Sequence, residues 1–193
     1  MKQLQRIMLV TLAAVSLGLV AASTASATTL EVGAVKRNEA VTFSTTLKAG
    51  SSLLIEDTGG FFANTCGAST INGSTTAFTG PTAGGPISSL TFSSCKESPI
   101  VVDGAGSLTI ENVAGTTNGT VRSIGAKWTT PSPFGTLTCV TAASPGTDLG
   151  TLTGVKEGNA TLEINASLNC GAITAKYTMT YTVTSPVGLG VTS

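Results

Sequence analysis

Residues 160–184 carry two runs of strict apolar–polar alternation, and no other stretch limits the possible folds as tightly. Ala160, Leu162, Ile164, Ala166, Leu168 and Cys170 are apolar, while Thr161, Glu163, Asn165, Ser167 and Asn169 between them are polar. After Gly171 and Ala172 the pattern resumes, with Ile173, Ala175, Tyr177, Met179, Tyr181 and Val183 apolar among polar Thr174, Lys176, Thr178, Thr180, Thr182 and Thr184. A period of two marks a strand with one buried face. A two-residue Gly-X loop suits a type II′ turn, Gly supplying the positive φ. That loop sets Leu168 opposite Ala175, Ala166 opposite Tyr177, Ile164 opposite Met179 and Leu162 opposite Tyr181. A slip of one residue would turn one whole apolar set outward, so the pattern predicts a long C-terminal hairpin in a single register.

The start of the chain reads as an export leader. Lys2 and Arg6 precede an apolar run over residues 7–22, and Ala25, Ser26 and Ala27 form a small-residue cleavage site. Residues 1–27 are expected to be removed, leaving residues 28–193 as one secreted β domain. A membrane anchor fits less well, because the run is short and the cleavage site follows it. Without the two leader cations, eight basic residues face ten acidic ones, a net charge of −2. No basic patch is available for phosphates, so nucleic acid is a poor partner, and no later stretch is apolar and long enough to span a membrane. About a fifth of the mature residues are Thr, and only 10% of the chain is charged, a strand-and-turn composition.

Cys66, Cys95, Cys139 and Cys170 all follow the leader. An exported chain with an even cysteine count is expected to form disulfides, here two, with three possible connectivities. The separations of 29 and 31 positions favour Cys66–Cys95 and Cys139–Cys170. A four-thiolate zinc site is disfavoured, since no CxxC spacing occurs and the chain has no His.

Along the mature chain, short strands are predicted about every 8–12 residues, with turn signals between them. They start at residues 28–35, 41–47 and 52–55, followed by a loop at residues 56–60 and a short buried piece from Phe61 and Phe62 to Cys66. Residues 67–86, rich in Gly, Ser and Thr, read as a long surface loop around a short strand near Ala77 and Phe78. Further strands are expected at residues 87–95, 100–102 and 108–113, as one piece at 121–130, at 137–139, and at 149–155 with a bulge near Gly154. The whole is all-β, an antiparallel β-sandwich or barrel.

Without His there is no Ser-His-Asp or Cys-His catalysis. Glu56, Asp57, Asp103, Glu111, Asp148 and Glu163 are the carboxylates that a glycosidase pair would need, and they read as solvated surface charge. The expectation is therefore no enzyme, no cofactor and no metal. Trp128 is the one possible ligand contact, whereas Tyr177 and Tyr181 fall on the inward face of their strand.

Residues 90–95 (LTFSSC), 131–139 (PSPFGTLTC) and 158–170 (GNATLEINASLNC) resemble small exported β proteins of actinobacterial type. More loosely, the chain is similar to the alkane-oxidation protein activator family, whose members are exported and associated with the biofilm matrix. The resemblance implies a secreted, extracellular protein of the cell surface and carries over no catalytic residue. Two functions are expected on these grounds. One is a structural or adhesive protein, binding surface or matrix polymers or assembling with itself through β-edges, with residues 28–35 the candidate strand for exchange and pairing within their own domain the favoured alternative. The other is a binding module for a polysaccharide or other ligand, using residues 67–86 or Trp128.

Overall fold

The computed structural model describes residues 27–193 apart from 77, 79 and 172. Residues 1–26 of the expected leader (residues 1–27), part of the strand expected near Ala77 and one residue of the hairpin turn thus lie outside the described residues. The elements are strands: β1 (Thr29–Val32), β2 (Val35–Arg37), β3 (Val41–Leu47), β4 (Leu53–Asp57), β5 (Ala63–Thr75), β6 (Thr82–Cys95), β7 (Val101–Gly104), β8 (Ser107–Asn112), β9 (Gly119–Ile124), β10 (Lys127–Ser132), β11 (Gly135–Val140), β12 (Thr147–Thr153), β13 (Thr161–Asn169), β14 (Thr174–Ser185) and β15 (Leu189–Thr192).

The C-terminal hairpin forms in the register its alternation dictates: Leu168 pairs with Ala175, Ala166 with Tyr177, Ile164 with Met179 and Leu162 with Tyr181. All eight of these side chains are buried, while Glu163, Asn165, Ser167 and Asn169 face outward. The hairpin is one quarter of a closed antiparallel barrel. β14 continues to β3, and the ring runs on through β5, β6, β8, β9 and β12 back to β13. In this eight-strand ring consecutive members are neighbours, an up-and-down arrangement in which closure removes the sheet edges over the lower half.

The barrel is taller than most of its strands. β4 continues the line of β3, since both lie between β14 and β5. In the same way β7 continues β8, β10 continues β9, and β11 stands above β12 beside β13. Residues 121–130 are thus two strands rather than one. The break is at Gly125, and the inward set changes from Val121 and Ser123 to Ala126, Trp128 and Thr130. The bulge expected near Gly154 lies instead between Asp148 and Gly150, where the register of β12 on β9 shifts.

The largest correction concerns residues 67–86, which form the greater part of the β5–β6 hairpin and not a surface loop. The lower end of the barrel is covered by a small sheet in which β1 pairs with β15 and β2, burying Leu30, Leu189 and Val191. The strand proposed for exchange is therefore paired within its own chain, and Val35 belongs to the next strand.

Both disulfides lie in the upper half. Cys66–Cys95 ties β5 to β6, and Cys139–Cys170 ties β11 to the end of β13, the pairing that spacing favours. Two structural disulfides indicate an oxidising environment.

Candidate functional site

Nearly all large apolar side chains enter the barrel, so those left outside by a rigid backbone are the ones to account for. Phe61 is 76% exposed and Phe134 57% exposed, and their rings meet edge to face at the upper rim with centroids 6.5 Å apart. The sequence placed Phe61 and Phe62 together in a buried piece; only Phe62 is buried.

The loop between β4 and β5 is built to present Phe61. Asp57 is buried, and its carboxylate accepts hydrogen bonds from the backbone N–H of Gly59 at 2.9 Å and of Phe62. This carboxylate, expected to be solvated surface charge, is therefore a loop clamp. A Cβ on Gly59 would meet the Phe61 ring at 2.8 Å and the Asp57 carboxylate at 2.9 Å, so a larger residue there would displace one of them. The loop between β10 and β11 presents Phe134. The Ser132 hydroxyl accepts from the Phe134 N–H at 3.1 Å and donates to the Gly135 carbonyl at 2.8 Å. A third loop, between β6 and β7, is held by fully buried Asn64, which donates to the Ser98 carbonyl at 2.7 Å and accepts from the Glu97 N–H at 3.3 Å. Each clamp satisfies backbone groups that would otherwise need water. Among these loops lies an open cleft of about 390 Å³, lined by Phe61, Phe62, Glu97, Ser98, Pro131 and Pro133.

Trp128 lies elsewhere. It is 5% exposed and points into the barrel, so it forms no surface platform. Its indole N–H donates to the Tyr177 hydroxyl, and the two rings pack edge to face with centroids 5.2 Å apart. The Tyr181 hydroxyl shares a 2.7 Å hydrogen bond with Ser69, which also bonds the Thr91 carbonyl. Burial pushes the Tyr181 phenol up to about 12 and raises Tyr177 further, each partly offset by its hydrogen bond.

The remaining candidate carboxylates do not converge. Asp148 pairs with Arg122 at 2.6 Å on the surface, and Glu163 faces outward from β13. Among the described residues no group of three or more His, Cys, Asp or Glu side chains comes together. The four cysteines are all in disulfides.

Sequence reasoning missed Phe61, Phe134, Asp57 and Asn64. The signal available was an aromatic residue within turn chemistry, Gly59-Gly60-Phe61 and Pro133-Phe134-Gly135, where a side chain has no strand to turn it inward. No protein family, curated protein or solved structure matches the chain.

Proposed function

We propose that this chain is a non-enzymatic protein, exported and held at the cell surface or in the extracellular matrix, that works by adhesion through its aromatic rim. The observation that carries the reading is the Phe61–Phe134 pair, two exposed rings on loops clamped by Asp57 and Ser132. Leaving two large apolar rings this exposed gives little folding benefit beyond their mutual contact, and holding them rigid lowers the entropy lost when a partner covers them. The partner that suits the rim is a neutral polymer of the surface or matrix. The rings cover the apolar faces of sugar units, while Glu97 and Ser132 beside them accept from hydroxyl groups. Two disulfides fit an extracellular site of action, as does the leader read from residues 1–27. The polar outward faces of β13 and β14 suit water, the reverse of a lipid-facing barrel wall.

The test is co-sedimentation of the secreted protein with insoluble cell-wall and matrix polysaccharides, alone and as the double variant Phe61→Ser, Phe134→Ser. Loss of both anchors is expected to weaken retention about tenfold or more. Equal retention of the two proteins, with both folded by near-ultraviolet circular dichroism, would remove the rim as the adhesive surface.

A further inference from the structure

The barrel wall has a seam. The lower part of β6 pairs with β8, from Thr82 with Glu111 to Pro86 with Ser107. Above it, β6 pairs on one side only, with β5, while β7 pairs only with β10; no hydrogen-bonded ladder joins β6 to β7. The seam ends below where the Ile87 N–H bonds the Gly106 carbonyl at 3.0 Å. Its mouth is an open cleft of about 460 Å³ lined by residues 92–100.

Behind the seam lies an apolar cavity of about 50 Å³, among whose lining residues are Leu90, Phe92, Trp128, Leu168, Tyr177 and Met179. Phe92 belongs both to this cavity and to the outer cleft. It is only partly buried, and its ring packs on Trp128 with centroids 6.3 Å apart. Trp128, Tyr177, Leu168 and Met179 are buried, Trp128 and Tyr177 are joined by a hydrogen bond, and Leu168 and Met179 lie on the paired strands of the C-terminal hairpin. Phe92 is on the stretch of β6 that pairs only with β5, and it borders the outer cleft.

We propose that this cavity is a binding site for a small neutral apolar molecule, about the size of one six-membered ring, which gains access through the β6–β7 seam when Phe92 swings outward. The size follows from volume. An apolar cavity of about 150 Å³ holds benzene, so the 50 Å³ present is enough only once the Phe92 ring is displaced. The neutrality follows from the lining, in which no charged side chain takes part. The hydroxyls of Tyr177 and Tyr181 already have partners, so the guest is selected by shape and apolarity. The inner cavity shares no lining residue with the rim cleft, although its outer cleft borders the rim at Glu97 and Ser98, and the proposal stands or falls without the rim.

Two natural reporters line the cavity. Trp128 is the only tryptophan of the chain, and Met179 is the only methionine beyond residue 8. The experiment titrates the secreted protein with iodobenzene, reading heavy-atom quenching of Trp128 and the ¹³C-methyl resonance of Met179. Saturable quenching with a matching shift of the Met179 methyl is expected. In Phe92→Ala the half-saturation concentration should fall about tenfold or more, because a gate open in a tenth of molecules or fewer is removed. An unmoved Met179 methyl across the titration of the wild-type protein would overturn the proposal, even if the variant fails to fold. Equal half-saturation in two folded proteins would overturn the role of Phe92.

Discussion

Around the lower half of the barrel each strand is joined to both neighbours by a ladder, three of them with a register shift, and the small β1–β2–β15 sheet covers the end. In the upper half one ladder is missing, between β6 and β7, and another is reduced to the single pair Val140–Asn169 between β11 and β13. Both disulfides are in that upper half. The half with the weaker hydrogen bonding is the one with covalent ties, and it also presents the aromatic rim. A lower half closed by ladders needs no further support. An upper half left open at a seam keeps its loops in place by cross-links and by the buried clamps Asp57 and Asn64.

The sharpest way to break this contrast is to remove the disulfides one at a time. The closed loops span 29 and 31 positions, so chain entropy gives each about 3–4 kcal/mol. The two should nevertheless differ in where they loosen the molecule. Cys66 and Cys95 end a ladder that continues through Ala68–Ser93 to Ile71–Leu90, so its loss should fray one corner. Cys139–Cys170 supports a junction with one residue pair, so Cys139→Ala with Cys170→Ala should raise amide exchange over β10, β11 and the upper end of β13. Exchange in β3, β8 and β9 should be unchanged in both variants. Uniform loss of protection over the whole barrel would show that the two halves are not distinct.

The sequence was most readable where the two halves meet. The hairpin of β13 and β14 spans the full height, and its alternation dictates its register because each inward residue is large enough to read as apolar. The β5–β6 hairpin is as long, yet its composition mimics a loop. Its inward positions include Ser69, Gly73, Thr75, Ala83 and Gly85, small or polar residues that read as a loop. A Cβ on Gly85 would meet the Ser74 carbonyl oxygen at 2.0 Å, so the residue that looks like a breaker is a tight contact inside a wall. The rim was unreadable for the opposite reason. Phe61 counts as core by residue type, and only the Asp57 clamp, which depends on the folded loop, turns it out. Trp128 looked like a surface candidate because its partner Tyr177 is 49 positions away.

The buried tyrosines sharpen the comparison by pH. Tyr181 is neutral in the folded state, with its phenol raised to about 12, whereas an unfolded tyrosine titrates near its ordinary value of 10. Below pH 10 both states hold the proton, and the group adds no pH dependence. Above pH 10 the unfolded chain loses its proton first, so stability falls as pH rises toward 12. Tyr181 alone accounts for a loss on the order of 2–3 kcal/mol across that window. Tyr177, raised for the same reason, deepens the fall. Denaturant unfolding at a series of pH values should show flat tyrosine-linked stability up to pH 10 and a steep decline beyond it. Tyr181→Phe should make that decline shallower. An unchanged slope in Tyr181→Phe would mean that this phenol is ionised in the folded barrel.

The smallest effect on stability, and the most direct comparison of the two ends, comes from exposed apolar residues. Val35 and Val187 near the lower end are each more than half exposed, as are Phe61 and Phe134 at the upper rim. Serine in place of the two valines, or of the two phenylalanines, should shift folding stability by only about 0.5 kcal/mol or less per site, since no buried contact is lost. The phenylalanine pair should add about 0.5–1.5 kcal/mol to that, from the edge-to-face contact of the rings. Adhesion should separate the two variants completely. Val35 stands on the sheet that covers the barrel end, and Val187 in the turn leading into it. The Val35→Ser, Val187→Ser protein should therefore sediment with polysaccharide as the wild type does, while the phenylalanine variant should not. Equal loss in both variants would mean that adhesion follows total exposed apolar area, and that the order built into the upper loops serves folding alone.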